Sequence, residues 1–494
     1  MDKINSLLRN GRVRAMLLSA FIIVAASWYR VYIAGTIKVD GHGLSGVPVY
    51  IVFFSFVIAL TIYAVSLYKL WKENILSSSE IKVLSYLLAG LFSLMLPMLS
   101  NDIFSLLTYG DAANRGVDVY IDIHSNAISP YFDFVSDLWK KAPCVYGPVC
   151  LSMARIAALI GGGQLLLALA AYKLLALLWL ILFIEVMSRI SILLNTPNRS
   201  LLFIILNPLV LMQGLAQLHC DGIAITLSGC MIYFFLSKKW YWAFAFAGFS
   251  IASKISFVLM LPFLVVGLFI EKDSWMAFLS HTAGGIAITV ITVVALYLPY
   301  YTSPQTVQQP FKFVFEQDPA KSIGEVIGDI VYFAPSVISG GEDKELQSNL
   351  HVKPSVSTKQ LEAWLLVKKI SQAFALLMSI WVFLRFWMGR RVLQQWMKVF
   401  TRLMLLFLLF YSHVFYAWYL LMVIPFVWYE DDLRFIQWLF VLTCFSNVHD
   451  ILCAVNHGTP VYFVVLPLTF LSIVSFVWRF RTVFFRSVTE VAIS

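Results

Sequence analysis

Apolar stretches of roughly 17 to 25 residues recur from one end of this 494-residue chain to the other, each long enough to cross a hydrocarbon core of about 30 Å. Backbone N–H and C=O groups in lipid have no water to bond, so such segments must be helices packed as a bundle. The runs are continuously apolar and do not alternate with period two, which excludes a β-barrel. Hydrophobic residues make up 60% of the chain and charged residues 13%, with a mean hydropathy of +0.82; an ordinary soluble domain is excluded. The expected fold is all-α, a polytopic membrane helical bundle forming one domain over residues 1–494.

Helix-period and charge reasoning predicts roughly 14 spans, near 15–33, 47–69, 82–99, 164–188, 200–217, 221–236, 240–253, 256–270, 275–299, 362–386, 397–412, 414–429, 433–448 and 459–478. The opening Lys3, Arg9, Arg12 and Arg14 resemble the charged start of a signal peptide. No small-residue cleavage site follows and Trp28-Tyr29-Arg30 reads as an interfacial end, so this is an uncleaved first span. With the N-terminus inside, the cytoplasmic connections carry Lys69, Lys72 and Lys82, then Arg189 and Arg199, Lys238 and Lys239, Lys272, Arg385 to Lys398, and Arg479 to Arg486. Glu430-Asp431-Asp432 is the acidic exception. The net charge of +9 is this cytoplasmic excess and calls for no nucleic acid. The assignment takes 146–160, which holds Arg155, as a helix lying in or dipping into the outer interface; counting it as a span would invert everything downstream.

Two large extracytoplasmic loops follow from this threading. The first, 100–148, contains Asp102, Asp111, Asp118, Asp122, Asp133 and Asp137 and includes juxtamembrane helices. The second, 300–360, is rich in proline. Loops this long in a compact bundle are usually functional or disordered. The six cysteines form no metal pattern; Cys144 and Cys150 are either a bridge or, as we favour, isolated small core residues.

On this threading, polar side chains collect on one outer face: Asn101-Asp102, His219 and Asp221, Lys254, the corner from His413 to Tyr419, and Asn447 with His449 and Asp450. Ionisable residues near membrane depth are costly and tend to mark sites. Each also has a plainer reading. Asn101 or Asp102 can N-cap the following helix, and His219 or Asp221 the sixth span. Lys254 can snorkel to the headgroups or bind a lipid phosphate. Tyr416, Trp418 and Tyr419 can be an aromatic belt or a substrate platform.

These elements, in this order, resemble the GT-C superfamily of integral-membrane glycosyltransferases, and within it the mannosyltransferase branch that includes actinobacterial lipoglycan and GPI-anchor mannosyltransferases. The likeness rests on Asn101-Asp102-Ile103-Phe104-Ser105, Tyr146-Gly147-Pro148, Asn207-Pro208-Leu209-Val210-Leu211, His219-Cys220-Asp221-Gly222, Lys254 before Leu261-Pro262, and Tyr416-Ala417-Trp418-Tyr419-Leu420 with Pro425. Cys220 stands where the family more often has Asn, and Ala417 where Pro often precedes Trp-Tyr. The resemblance implies transfer of a monosaccharide, mannose favoured, from a polyprenyl-phosphate donor to a glycan, lipid or protein acceptor, with Asp102 as general base on the acceptor hydroxyl. Asn101, Tyr146, His219, Asp221, Lys254, His413, Trp418 and Tyr419 are then the expected substrate-binding residues. A phosphate leaving group is aided by a nearby cation, which Lys254 supplies, so no cofactor is required and a divalent metal is not favoured. A polytopic transporter or flippase of a lipid-linked glycan precursor is the alternative, and a membrane scaffold a third. The first is disfavoured because the outer polar cluster is not mirrored inside and no internal repeat is evident. The absence of retrieval signals favours a bacterial inner membrane over an endoplasmic reticulum.

The charge distribution makes a direct prediction: Asp102 and the 302–353 segment face out, and Lys238 and Arg390 face in. Single cysteines placed in 302–353 should react with an impermeant maleimide in intact cells. Labelling that requires permeabilisation would reverse the orientation.

Overall fold

The computed structural model describes residues 2–37, 47–121, 128–308, 358–389, 391–411, 417–430 and 432–455, and every regular element among them is helical. Short α1 (Asp2–Arg9) leads into α2 (Gly11–Ala34), whose first turn is capped by the Asn10 side chain accepting from Arg12 N at 2.9 Å. Helix α3 (Val47–Glu73) packs along α2, and α4 (Ser78–Ser93) starts from a reciprocal capping box between Ser77 and Glu80. The chain then runs as buried irregular backbone into α5 (Asp102–Asn114), α6 (Asp137–Lys140), α7 (Pro148–Gly161) and the 30-residue α8 (Leu165–Leu194). Helix α9 (Asn198–Ile205) is followed by a π-helical segment (Val210–Ala216), then α10 (Asp221–Leu236), α11 (Trp240–Ile251), α12 (Leu261–Ile270) and α13 (Trp275–Tyr297). Beyond the second loop come α14 (Thr358–Met388), α15 (Leu393–Leu406), a 3-10 segment (Ala417–Phe426) and α16 (Leu433–Val455).

Among the described residues, five helical stretches are long and apolar enough to cross a membrane by themselves: Gly11–Ala34, Tyr50–Glu73, Leu165–Leu194, Trp275–Tyr300 and Leu393–Phe410. A sixth span results if α9 and the π-helical segment, bent by 40°, count as one. The other described apolar runs form shorter helices or broken ones, for local reasons. The run at 200–217 breaks at Asn207-Pro208, where proline lacks an N–H and restricts the residue before it; the Asn207 side chain accepts from Leu209 N at 2.9 Å and turns the chain. The run at 82–99 is helical only to Ser93, with Pro97 in the irregular stretch beyond it. The run at 414–429 is a ten-residue 3-10 segment containing Pro425. The 459–478 run, Asp122, His413, Tyr416 and nearly all of the second loop lie outside the described residues.

Asp111, one of the acids assigned to the first outer loop, is not a solvated loop residue. It lies on the buried α5, where every residue from Asp102 to Ala112 is buried, and its carboxylate accepts from Arg115 Nε at 2.9 Å. Lipid-embedded helices gain little from hydrophobic association, so close approach of small residues and interhelical hydrogen bonds hold them together. Gly110 of α5 sits directly on the Ala154 backbone of α7. Thr289 of α13 donates to Phe244 O at 2.9 Å, and Ser250 of α11 donates to Ala224 O at 2.9 Å.

The tightest of these contacts is Gly147, just before α7. Its N–H donates to Ser253 O at 3.0 Å and Val149 N donates to Ala252 O at 3.2 Å, and a Cβ at Gly147 would run into the Ala252 carbonyl. Backbone cannot yield as a flexible side chain can. Gly147→Ala is therefore expected to lower the melting temperature in detergent by several degrees, whereas Gly90→Ala, with open space around it, should not. Equal melting of the two variants would dissolve this junction.

Candidate functional site

The Gly147 junction brings the Tyr146-Gly147-Pro148 corner against the Ala252-Ser253-Lys254 break, and the site is built around it. Asp102 is the first residue of α5. Asn101 precedes it at the N-cap position, but the Asn101 side chain makes no capping bond, so helix capping does not explain this residue pair. The Asp102 N–H donates to Ser100 Oγ at 3.2 Å, and its Oδ2 lies 3.3 Å from Nδ1 of His219. The Tyr146 hydroxyl donates to the same carboxylate. Burial pushes the Asp102 carboxyl up, but the hydrogen bond and charge interaction with His219, with hydrogen bonds from Tyr146 and Ser100, outweigh it and hold the group below its ordinary value.

Two residues beyond His219 along the chain, Asp221 opens α10 with its side chain only 2% exposed. Lys254 donates to both its oxygens, at 2.8 and 3.0 Å. Lys254 thus does not snorkel. It occupies an extended break between α11 and the 3-10 turn Ile255–Met260, and its ammonium is held inward by a carboxylate. Burial pulls its amine down, but the charge of Asp221, together with Tyr419, outweighs it and raises the group, so it remains a cation.

A consecutive aromatic pair backs both partnerships. Trp418 stacks on the His219 ring at 3.9 Å between centroids and 19° between planes, and Tyr419 lies under Lys254 with the ammonium 4.1 Å from its ring centre. These two rings are therefore placed against the site and do not form an interfacial belt. Asn447 falls elsewhere in the polar interior, accepting from Gln213 at 3.0 Å. Cys144 and Cys150 are free and buried, as favoured from the sequence.

The structure therefore brings together Asp102, Tyr146, His219, Asp221, Lys254, Trp418 and Tyr419. It also adds Ser100, Tyr109 and Gln217, which sequence reasoning passed over. Tyr109, two turns further along α5 from Asp102, donates to Ala142 O at 3.0 Å. Gln217, an amide at the end of an apolar run, is fully buried. The turn that presents His219 is strained at Leu218, which sits at φ +64°, a value uncommon for a bulky residue.

Chemically, this is a buried carboxylate held ionised by hydrogen-bond donors, together with a cation already matched to a second carboxylate. One can take a proton, and the other can meet a negative oxygen. Such a combination is chemically suited to group transfer. Residues 14–270, just over half of the chain, match the family described as alpha-(1->6)-mannopyranosyltransferase, N-terminal domain. The chain belongs to this family of mannosyltransferases, in line with the resemblance carried by the motifs. It is 24% identical over 217 residues to Alpha-(1->6)-mannopyranosyltransferase A of Corynebacterium glutamicum, a match covering 40% of this chain and 44% of that protein. It is 28% identical over 146 residues to Alpha-(1->6)-mannopyranosyltransferase A of Mycobacterium tuberculosis, covering 28% of each. It is also 26% identical over 138 residues to Alpha-(1->6)-mannopyranosyltransferase B of C. glutamicum, covering 26% and 22%. The chain thus spans less than half the length of these curated relatives.

The Asp221–Lys254 pair generates a stability prediction. Removing one partner of a buried pair leaves an uncompensated charge, which typically costs about 3–5 kcal/mol, whereas removing both charges together is far milder. Lys254→Met should therefore melt well below wild type, and Lys254→Met with Asp221→Asn should recover most of the loss. If the double variant melts no higher than Lys254→Met, the pair is not what the ammonium contributes to stability.

Proposed function

We propose that this chain is a mannosyltransferase that takes mannose from a polyprenyl-phosphate donor and passes it to a glycan, lipid or protein acceptor on the extracytoplasmic face of a bacterial inner membrane. The observation that carries the reading is the Asp102 carboxylate, buried at the start of α5 and held by His219 and Tyr146. Family membership supports the sugar.

Asp102 is the general base. A carboxylate beside an acceptor O–H can take the proton as the bond to the sugar C1 forms. Hydrogen bonds from His219, Tyr146 and Ser100 around Asp102 keep it ionised. Lys254 faces the donor phosphate. Its charge stabilises the leaving oxyanion, and Asp221 and the Tyr419 ring hold the ammonium in place before the substrate arrives. Trp418 keeps the His219 ring at a fixed angle, so that Nδ1 addresses Asp102. Asn101 and His413 complete the set that contacts substrate.

Two variants test the base. Asp102→Asn preserves size and removes the basic lone pair, so transfer from a polyprenyl-phosphate sugar to acceptor should fall by about a hundred- to ten-thousand-fold with the melting temperature little changed. A folded Asp102→Asn enzyme turning over at a normal rate would move the base elsewhere, with Asp221 the next candidate. His219→Phe keeps a ring against Trp418 and deletes the donor. The folded Asp102 pKa is depressed, so activity and the stability linked to this group are lost as pH falls through that low value. Losing a hydrogen bond that lowers the pKa raises it, so the acid limb of the pH–rate profile should move upward in His219→Phe. An unmoved limb would mean that His219 does not tune Asp102.

A further inference from the structure

The two chains of backbone that carry Asp102 and His219 come from distant parts of the sequence and neither is regular. Residues 94–101 lie between α4 and α5, and residues 217–220 between the π-helical segment and α10. Irregular backbone buried in a membrane protein must find hydrogen-bond partners side chain by side chain. Here the N–H of Leu96 donates to Ser27 Oγ at 3.1 Å. The next two N–H groups along the chain, those of Met98 and Leu99, both donate to a single atom: Oε1 of Gln217, at 3.0 and 2.8 Å. The Gln217 side chain is fully buried, and its amide nitrogen reaches only the soft Met95 sulfur at 4.0 Å.

Gln217 is itself fixed from its own side. Its N–H donates to Met212 O at 2.8 Å, and the His219 N–H donates to Gln213 O at 3.2 Å. The buried Lys173 of α8 donates to Ala216 O at 3.2 Å, tying down the end of the π-helical segment just before it. Leu218, in left-handed conformation, then swings His219 around toward Asp102. A closed ring results: Leu99 to Asp102 along one strand of backbone, His219 to Gln217 along the other, with the Gln217 amide and the His219–Asp102 contact as its two cross-links.

We infer that Gln217 is the positioning residue of the catalytic pair, clamping the Met98–Leu99 backbone to the His219 turn so that the imidazole and the Asp102 carboxylate stay in register. It makes no hydrogen bond to the Asp102 carboxylate. Its action is to set the separation of the other two. This inference rests on Asp102 being the base. A loose clamp changes how often the pair is aligned at the moment of proton transfer and leaves donor binding at Lys254 alone. A merely structural glutamine would instead lower the amount of folded protein and leave the surviving molecules normal.

The test is steady-state transfer with a purified, full-length enzyme, a polyprenyl-phosphate mannose donor and a fixed acceptor. Gln217→Met keeps the volume but deletes the acceptor, and Gln217→Asn keeps the amide but is one methylene too short to reach both N–H groups. Either should lower kcat by about tenfold to a hundredfold, the range expected for a misplacement near 1 Å, with donor KM within about threefold of wild type. Gln217→Glu, which retains an oxygen at the same reach and is held neutral by burial, should restore most of the rate. Combining Gln217→Met with His219→Phe should cost little more than the worse single change, because both act through one contact. If Gln217→Met does not fold, the Asn and Glu variants decide the same question. Normal kcat in folded Gln217→Met or Gln217→Asn, with Asp102→Asn inactive, overturns the clamp and spares the base. Full multiplication with His219→Phe also overturns it, and an active Asp102→Asn removes the base and the clamp together.

Discussion

The interaction on which the rest of the site depends is the buried pair of Asp221 and Lys254. An ionised carboxylate cannot be carried into a low-dielectric interior unless something of opposite charge meets it there. Asp221 opens α10 with its side chain almost wholly enclosed, and the ammonium that meets it comes from a break between α11 and a 3-10 turn. This requirement pins the Lys254 break to the start of α10. The Tyr146-Gly147-Pro148 corner is bonded to the same break through Ser253 and Ala252, so the hydroxyl that reaches Asp102 is held by the same frame. One desolvated charge pair thereby couples three helix ends.

Close packing of this frame comes from absent side chains more than from large ones. Gly110 against Ala154, Gly147 against Ala252, and Gly222 against Gly214, where a Cβ would lie 2.6 Å from the facing carbonyl oxygen, let backbone meet backbone. In lipid the apolar faces of helices have no water to escape, so dispersion between closely approaching backbones and interhelical hydrogen bonds take over as the cohesive terms. The cost is intolerance: a single methyl at such a contact has nowhere to go.

Apart from Tyr109 within α5, the site residues described here sit at helix termini or in broken backbone. Asp102 and Asp221 begin helices, Lys254 lies between two, His219 follows a π-helical segment and a left-handed leucine, and Trp418 and Tyr419 ride a 3-10 stretch interrupted by Pro425. Regular transmembrane helices satisfy their own backbone and offer only side chains. Broken ones free N–H and C=O groups that must be re-satisfied, and Gln217, Ser100 and Ser27 do this around Asp102. Such irregularity at membrane depth persists where it builds a site.

The amino-acid sequence by itself determined the helical character, because long apolar runs admit little else in lipid, and the places where helices break, because Pro208, Pro425 and the Ser253-Lys254 step interrupt them locally. It also singled out Asp102, His219, Asp221, Lys254 and the Trp418-Tyr419 pair, since charge and aromatic polarity inside such a chain are conspicuous. Tertiary structure decided who meets whom. The sequence shows a lysine at 254 and a carboxylate at 221 but contains no local signal that the two neutralise each other, because the contact depends on the approach of α11 to α10. It left Asp111 among loop acids, whereas the packing of α5 against α7 buries it beside Arg115. It was silent on Gln217, whose amide is indistinguishable from any other until the irregular backbone of Met98 and Leu99 is laid against it. Hydrophobic periodicity is a property of neighbours along the chain. Hydrogen-bond satisfaction in a buried turn is a property of neighbours in space, and only the folded chain supplies them.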